Sequence, residues 1–313
     1  MVNLFAYFFI SLISLIALSA IVTVLISQKI KRSIPKFGKI TTLKDAEIHW
    51  YETGHGRPII MLHGLAGNLR NFTYALTDKL NQDFRVIAVD RAGCGWSKRS
   101  RPESATLNEQ ARIISEFIKK EKIEKPLIVG HSLGGAIALT LALEHKTEIS
   151  GLALICPATQ MIDDIPDIFR FLNISNKWLR LFLAYTLSSL IGILTREESF
   201  KTAFAPEPVC DNFAVKGGGD FALSSKSFIK TSEDLIFAMS SAPSVVGREK
   251  ELKLPIGVLF GEDDEILDAK LHGEKFSELT GAELKILPNK GHMLPLTEPE
   301  ECAEFIHGIM KKI

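Results

Sequence analysis

The stretch "PLIVGHSLGGAIALTLAL", residues 126–143, changes character in its middle. Its first half is a short β-branched apolar run that stops at Gly130. Its second half is rich in Ala and Leu and suits a helix from about Gly135. Between them sits one hydroxyl, Ser132, with glycine at 130, 134 and 135. G-x-S-x-G between a strand and a helix is the context in which a serine becomes a nucleophile. A sharp turn there strains the serine backbone, and side chains at the flanking positions would clash. The same turn aims the next amide, that of Leu133, at the point where negative charge develops, and the helix N-terminus adds a favourable dipole. The bland alternative is a glycine-rich corner carrying an inert serine, and the partners of Ser132 decide between the two.

A serine hydroxyl needs a base to take its proton, and the base needs an orienting acid. His292 lies in "PNKGHMLPLTEPE", after the last strand-like run and before the last helical one, beside a glycine and later in the chain than Ser132. The turn after "LPIGVLFG" offers Glu262, Asp263, Asp264 and Glu265 in "GEDDEIL". A run of acids is ordinarily a solvated turn, yet serine, acid, histidine is the chain order this motif requires. A second oxyanion donor is expected from "IIMLHGLAGN", where a buried strand runs into His63-Gly64 and the amide of Leu65 can point into the site. His63 reads as a brace for that loop, and His131 and His55 as local turn residues.

The same alternation extends outward. "AEIHWYETG" alternates and ends in glycine, as a hairpin strand does. "RPIIMLHG", "FRVIAVD", "KPLIVGHS", "GLALICPA", "LPIGVLFG" and "AELKILP" are short runs that read as buried strands, with helical patterns near 69–80, 106–121, 134–145, 267–279 and 297–311. Strands apolar on both faces alternating with helices predict an α/β domain with a mostly parallel sheet. Between "GLALICPA" and "LPIGVLFG" the rhythm fails, and a helical cap is expected at about 160–250. The uncharged residues 181–194 are fewer than the ~20 a bilayer span needs, so they read as a buried or interfacial helix. Ile165, Phe169, Phe171, Leu172, Trp178, Leu181 and Phe182 are its candidates for lining an acyl pocket.

The chain has 313 residues, 46% of them hydrophobic, enough to fill a core of that size. Basic and acidic residues number 37 each, and no basic block beyond the N-terminal flank suggests a nucleic-acid surface. Cys94, Cys156, Cys210 and Cys302 are scattered without a C-x-x-C pair, which argues against zinc and against a disulfide framework and suits a reducing compartment.

The segment "MVNLFAYFFISLISLIALSAIVTVLIS" has no charged residue or histidine. As a helix its apolar part reaches about 36 Å, longer than a bilayer core of about 30 Å. A cleavable signal peptide would need a basic n-region and a shorter apolar core, so an uncleaved membrane anchor is expected. Lys29, Lys31, Arg32, Lys36, Lys39 and Lys44 all precede the first acid, Asp45, which by the positive-inside rule places the following domain in the cytoplasm. The expected division is an anchor at 1–28, a basic linker at 29–44 and a catalytic domain at 45–313 that folds without the anchor.

Together these pieces resemble the α/β-hydrolase family from about residue 45 to the C-terminus. "HGLAGN", "DRAGCGWS" at 90–97, "GHSLGG", "GEDD" and "GHMLPLTEPE" occur in family order and roughly family spacing. Departures are small: Ala92 stands where proline is common, and Cys94 occupies a variable position. The resemblance is to bacterial lipase- and esterase-like members, with membrane-anchored monoacylglycerol lipases behind them. It implies an α/β-hydrolase fold whose helical insertion is the lid, with Ser132 as nucleophile, His292 as base and Asp264, the fourth residue of G-x-x-D, as acid. The amides of Leu65 and Leu133 would form the oxyanion hole. The implied substrate is a small ester with an apolar acyl chain, with no metal or organic cofactor. Serine at 132 argues against the epoxide- and halide-releasing relatives, which use aspartate. Perhydrolysis, carbon–carbon bond hydrolysis and acyl transfer need the same three residues, and a non-catalytic ligand-binding member of the fold is the alternative of another class.

Overall fold

The computed structural model describes residues 2–145, 148–161, 164–241 and 246–313. Its centre is a nine-stranded sheet of β1 (Lys39–Thr42), β2 (Ala46–Thr53), β3 (Arg57–Leu62), β4 (Phe84–Val89), β5 (Lys98–Arg99), β6 (Leu127–His131), β7 (Gly151–Ile155), β8 (Ile256–Gly261) and β9 (Glu283–Leu287). The order is β1-β2-β4-β3-β6-β7-β8-β9, with β5 paired to β2. β2 is antiparallel to its neighbours, and every pairing from β4 to β9 is parallel. Every residue of β6, β7 and β8 is buried. Because successive side chains point to opposite faces, helices must cover both sides of the sheet.

The helices are α1 (Val2–Ser33), α2 (Arg70–Thr73), α3 (Leu76–Leu80), α4 (Leu107–Lys120), α5 (Leu133–Glu144), α6 (Asp167–Arg170), α7 (Lys177–Thr186), α8 (Ser188–Phe204), α9 (Ser225–Ser241), α10 (Lys275–Thr280), α11 (Leu294–Thr297) and α12 (Pro299–Met310). Helix α4 starts where the pattern predicts, its first turn capped by Thr106 accepting from the Glu109 amide. The helix expected at 69–80 is two short ones. The one expected at 267–279 opens with a π-helical turn, Lys270–Glu274, before α10.

Three expectations change. Helix α1 runs on to Ser33, and β1 occupies 39–42, so much of the expected linker is secondary structure. The uncharged stretch 181–194, read as one buried or interfacial helix, falls on two helices. α7 and α8 meet at Leu187 with a 74° bend, and Leu187, Ile191 and Leu194 are exposed. Nor does α1 stand free. It is long and apolar enough to cross a membrane, yet Thr23, Ile30 and Ile34 are buried, the two isoleucines in a small core with Phe221 and Leu223. Removing residues 1–30 would uncover that core. Because burying an aliphatic side chain is worth about 1.5–3 kcal/mol, such a deletion is expected to lower Tm measurably, whereas deletion of residues 2–17 should not. Equal Tm values for the two would show that the packing contributes nothing.

Candidate active site

The carboxyl ends of four parallel strands meet at one edge of the sheet, where open α/β sheets place their ligands. β3 ends opposite β6, with Leu62 paired to Gly130, and β6 continues to His131 opposite Ile155 of β7. Ser132 follows at once, with φ 55° and ψ −122°, a conformation that a non-glycine residue adopts only when its surroundings impose it. The glycines permit it. A Cβ on Gly134 would lie 2.0 Å from the Leu62 carbonyl oxygen, and one on Gly130 would lie 2.7 Å from the Gly134 oxygen. The turn is held by Ser132 N–H donating to Ile155 O (3.1 Å), with Ser132 O accepting from Gly135 and Ala158.

Leu133 opens α5, so its amide has no helical acceptor. Neither it nor the Leu65 amide donates a backbone hydrogen bond among the described residues. Gly64 brings the two loops together, since a Cβ there would stand 3.2 Å from Ser132 Oγ. A cavity above Ser132 is lined by Leu65, Leu133, Ala136, Phe169, Leu235 and Met239 among others, with Thr159, Gln160 and His272 as polar exceptions.

The two other residues predicted from sequence pair with each other, and the His292 ring lies 4.9 Å, centroid to centroid, from that of His131, the chain neighbour of Ser132. His292 Nδ1 is 2.7 Å from Asp264 Oδ2, and Asp264 Oδ1 accepts from the amides of Ile266 and Leu267, both at 2.9 Å. Burial alone would raise the Asp264 carboxyl. The His292 charge and hydrogen bond, with the two amides, outweigh burial and hold it below the usual carboxylate range. Glu262, Asp263 and Glu265 are exposed, so the four acids of the turn separate cleanly by burial. His292 is carried by a fixed loop: His131 Nε2 donates to His292 O (3.0 Å), and Gly291 N–H donates to Glu207 (2.8 Å). The structure gives Ser132 Oγ no hydrogen bond to His292, and such pairs often close only on substrate.

Burial lowers the pKa of three further histidines, His63, His131 and His272. Burial, followed by Arg91, pushes His63 down to about 3. Its Nδ1 donates to Gly64 O (2.9 Å), while its Nε2 accepts from Arg91 N–H (3.1 Å), so it braces the Leu65 loop. Burial, followed by His292, likewise pushes His131 to about 3. His272 was not legible in the sequence. Its Nδ1 accepts from the amides of Thr159 and Gln160, and burial pushes it to about 4. Cys156, Asp264 and His292 place donor atoms within 4.8 Å of one another. Burial raises the Cys156 thiol well above its usual range, and the histidine and carboxylate already face each other, a poor donor set for a cation.

A second feature had no sequence signal. Arg91, fully buried, donates through Nε to His63 O (2.9 Å), through Nη2 to Gly64 O (3.0 Å) and through Nη1 to Asp234 Oδ2 (3.0 Å) on α9. Asp234 also pairs with Arg99, which donates to Glu233 Oε2 at 2.9 Å. The cap is thereby tied by buried charge to the loop that carries the Leu65 amide. Losing one oxyanion donor costs about 10²–10³ in kcat, so a displaced donor should cost less. Asp234→Asn is expected to lower kcat about tenfold with KM little changed, measured below its reduced Tm. An unchanged kcat would show that cap and loop are not coupled.

The acyl-pocket candidates are mostly elsewhere. Phe169 alone of the seven lines the cavity. Leu172 and Leu181 pack within the cap, Ile165 borders a neighbouring acidic cavity, and Phe171, Trp178 and Phe182 face outward. Apolar residues of a cap serve its own core, the pocket or an outer face, and composition does not separate the three.

Comparison with known proteins places the fold in a family. The sequence model of the family described as alpha/beta hydrolase fold matches residues 57–299. The monoacylglycerol lipase abhd6-A of Xenopus laevis is 23% identical over 271 residues, covering 83% of this chain and 79% of that protein. An alpha/beta hydrolase fold protein from Burkholderia ambifaria superposes with a TM-score of 0.72 at 18% identity, covering 87% of this chain and 98% of its own. A thermophilic esterase from Thermogutta terrifontis gives 0.66 at 18% identity, covering 88% and 99%. The chain therefore belongs to the alpha/beta hydrolase fold family and is distantly related to monoacylglycerol lipase ABHD6 and to bacterial esterases and lipases.

Proposed function

We propose that the protein is a membrane-anchored serine hydrolase that cleaves carboxylic esters of lipid or monoacyl type through an acyl-enzyme on Ser132. The observation that carries this reading is Ser132 in a strained turn, with the amides of Leu65 and Leu133 donating to no backbone acceptor among the described residues, and a buried His292–Asp264 pair whose imidazole packs against His131, the chain neighbour of Ser132. Ser132 Oγ attacks the acyl carbonyl while His292 Nε2 takes its proton. The developing oxyanion is met by the amides of Leu65 and Leu133, and Asp264 stabilises the imidazolium. His292 then returns the proton to the departing alcohol. In the second half it activates water, which releases the acid and frees Ser132.

The apolar wall of the cavity supports an acyl chain as the part of the substrate that is bound. Helix α1 supports the anchor, and its basic flank supports a cytoplasmic domain. Distant relationship to a monoacylglycerol lipase favours monoacyl esters. Each buried methylene contributes roughly 0.8 kcal/mol, so kcat/KM should rise about tenfold or more from acetyl to octanoyl p-nitrophenyl esters, with monoacylglycerols also turned over. A screen in which acetyl esters beat octanoyl esters would leave a small-ester hydrolase.

A further inference from the structure

Helix α1 lies along the cap, and two of its hydroxyls converge on one atom. Ser19 Oγ and Thr23 Oγ1 both donate to the carbonyl oxygen of Thr186, the second at 3.2 Å. Thr186 is the last residue of α7, at the 74° bend into α8. Around that bend the cap exposes Trp178 (76%), Leu179, Phe182, Tyr185, Leu187, Ile191 and Leu194 (85%), an apolar face that no described residue covers.

The packing fixes how deep this face sits. Lys29 is the first charged residue of α1. At 1.5 Å per residue, Thr23 lies about 9 Å and Ser19 about 15 Å along the helix axis from it. A helix crossing the bilayer with Lys29 among the headgroups therefore carries the Thr186 corner to the hydrocarbon boundary or below it. An amphipathic helix in an interface is buried to a similar depth, about 5–10 Å. The hydrogen bonds fit the same environment. The last carbonyls of a helix lack intrahelical donors, and in water the solvent serves them. In hydrocarbon no water is present to serve such a carbonyl, and the carbonyl at this corner receives two hydroxyls from α1.

We infer that the α7–α8 bend inserts into the same bilayer leaflet that α1 crosses, with lipid acyl chains covering the exposed face of the cap. The inference rests on reading α1 as a membrane span. It deepens the proposed function, because the other side of α7 is one layer from the site. Leu181, Leu183 and Ala184 pack with Phe169 and Leu65, which line the cavity above Ser132. A monoacyl ester leaving the leaflet would meet the cap before it met water.

The chain carries its own probe. Of its three tryptophans, Trp50 is buried in the core and Trp96 is partly buried against Phe221, whereas Trp178 is exposed on α7. The full-length protein in phosphatidylcholine vesicles should lose emission when the lipid carries bromine on its acyl chains, more with bromine near the headgroup end than near the chain terminus. The loss should be much smaller in Trp178→Phe. Extraction of the same vesicles with alkaline carbonate reports on α1 separately. Retention in the pellet with no bromine quenching of Trp178 would overturn insertion of the cap, leaving its face to another occupant such as a second copy of the chain. Release by carbonate would overturn the span on which the inference rests.

Discussion

Ser132→Ala is expected to reduce ester hydrolysis to background, a loss on the order of 10⁶ in kcat, because nucleophile, base and acid act as a unit. The magnitude follows from what remains. The amides of Leu65 and Leu133 can still polarise a carbonyl, but no hydroxyl is placed to attack it. Alanine keeps the Cβ and therefore the same strain at φ 55°, so the substitution removes only the hydroxyl and Tm is expected to change little. Activity measured with p-nitrophenyl octanoate, alongside thermal unfolding, separates a lost nucleophile from a lost fold. Retention of more than a few per cent of activity would remove Ser132 from the mechanism.

Asp264→Asn is the second large effect, on the order of 10⁴ in kcat. The buried carboxylate accepts from two backbone amides through one oxygen and faces His292 Nδ1 through the other. An asparagine amide in that place either turns its NH₂ toward His292 or flips the imidazole to the wrong tautomer. Asp263, exposed one residue earlier, supplies the internal control, and Asp263→Asn should retain nearly full activity. Because the Asp264 carboxyl is held below the usual range, it stays ionised across the neutral region. The acid limb of the pH–rate profile should therefore not belong to it. Kinetics of both variants on one substrate check the assignment, and the reverse outcome would move the acid by one position.

The site was largely legible because its chemistry is local. Ser132 sits where a buried strand must turn into a helix, and the glycines at 130 and 134 leave room for nothing larger. Asp264 and His292 each follow a strand that the apolar pattern already marked. What the sequence withheld depends on packing between distant segments. Asp234 lies in "SEDLIF", which reads as the solvated side of a helix, and only the folded cap sets it against Arg91 and Arg99. Strand β1, "KITT", is a short, mostly exposed edge that pairs with β2 and has no apolar run to announce it. Trp178, Phe182 and Leu194 look like core or pocket residues by composition, yet the folded cap leaves them exposed.

The central claim, a reactive Ser132 poised for acyl transfer, is tested most directly by labelling the full-length protein with a fluorophosphonate and mapping the modified peptide by mass spectrometry. Such probes bond only to a serine activated by its base and oxyanion donors. The predicted result is a single adduct on the peptide containing Ser132, absent from Ser132→Ala and strongly reduced in His292→Ala. Full-length, folded protein that takes up no label, or takes it up elsewhere with Ser132 untouched, would contradict the account and leave a ligand-binding member of the fold.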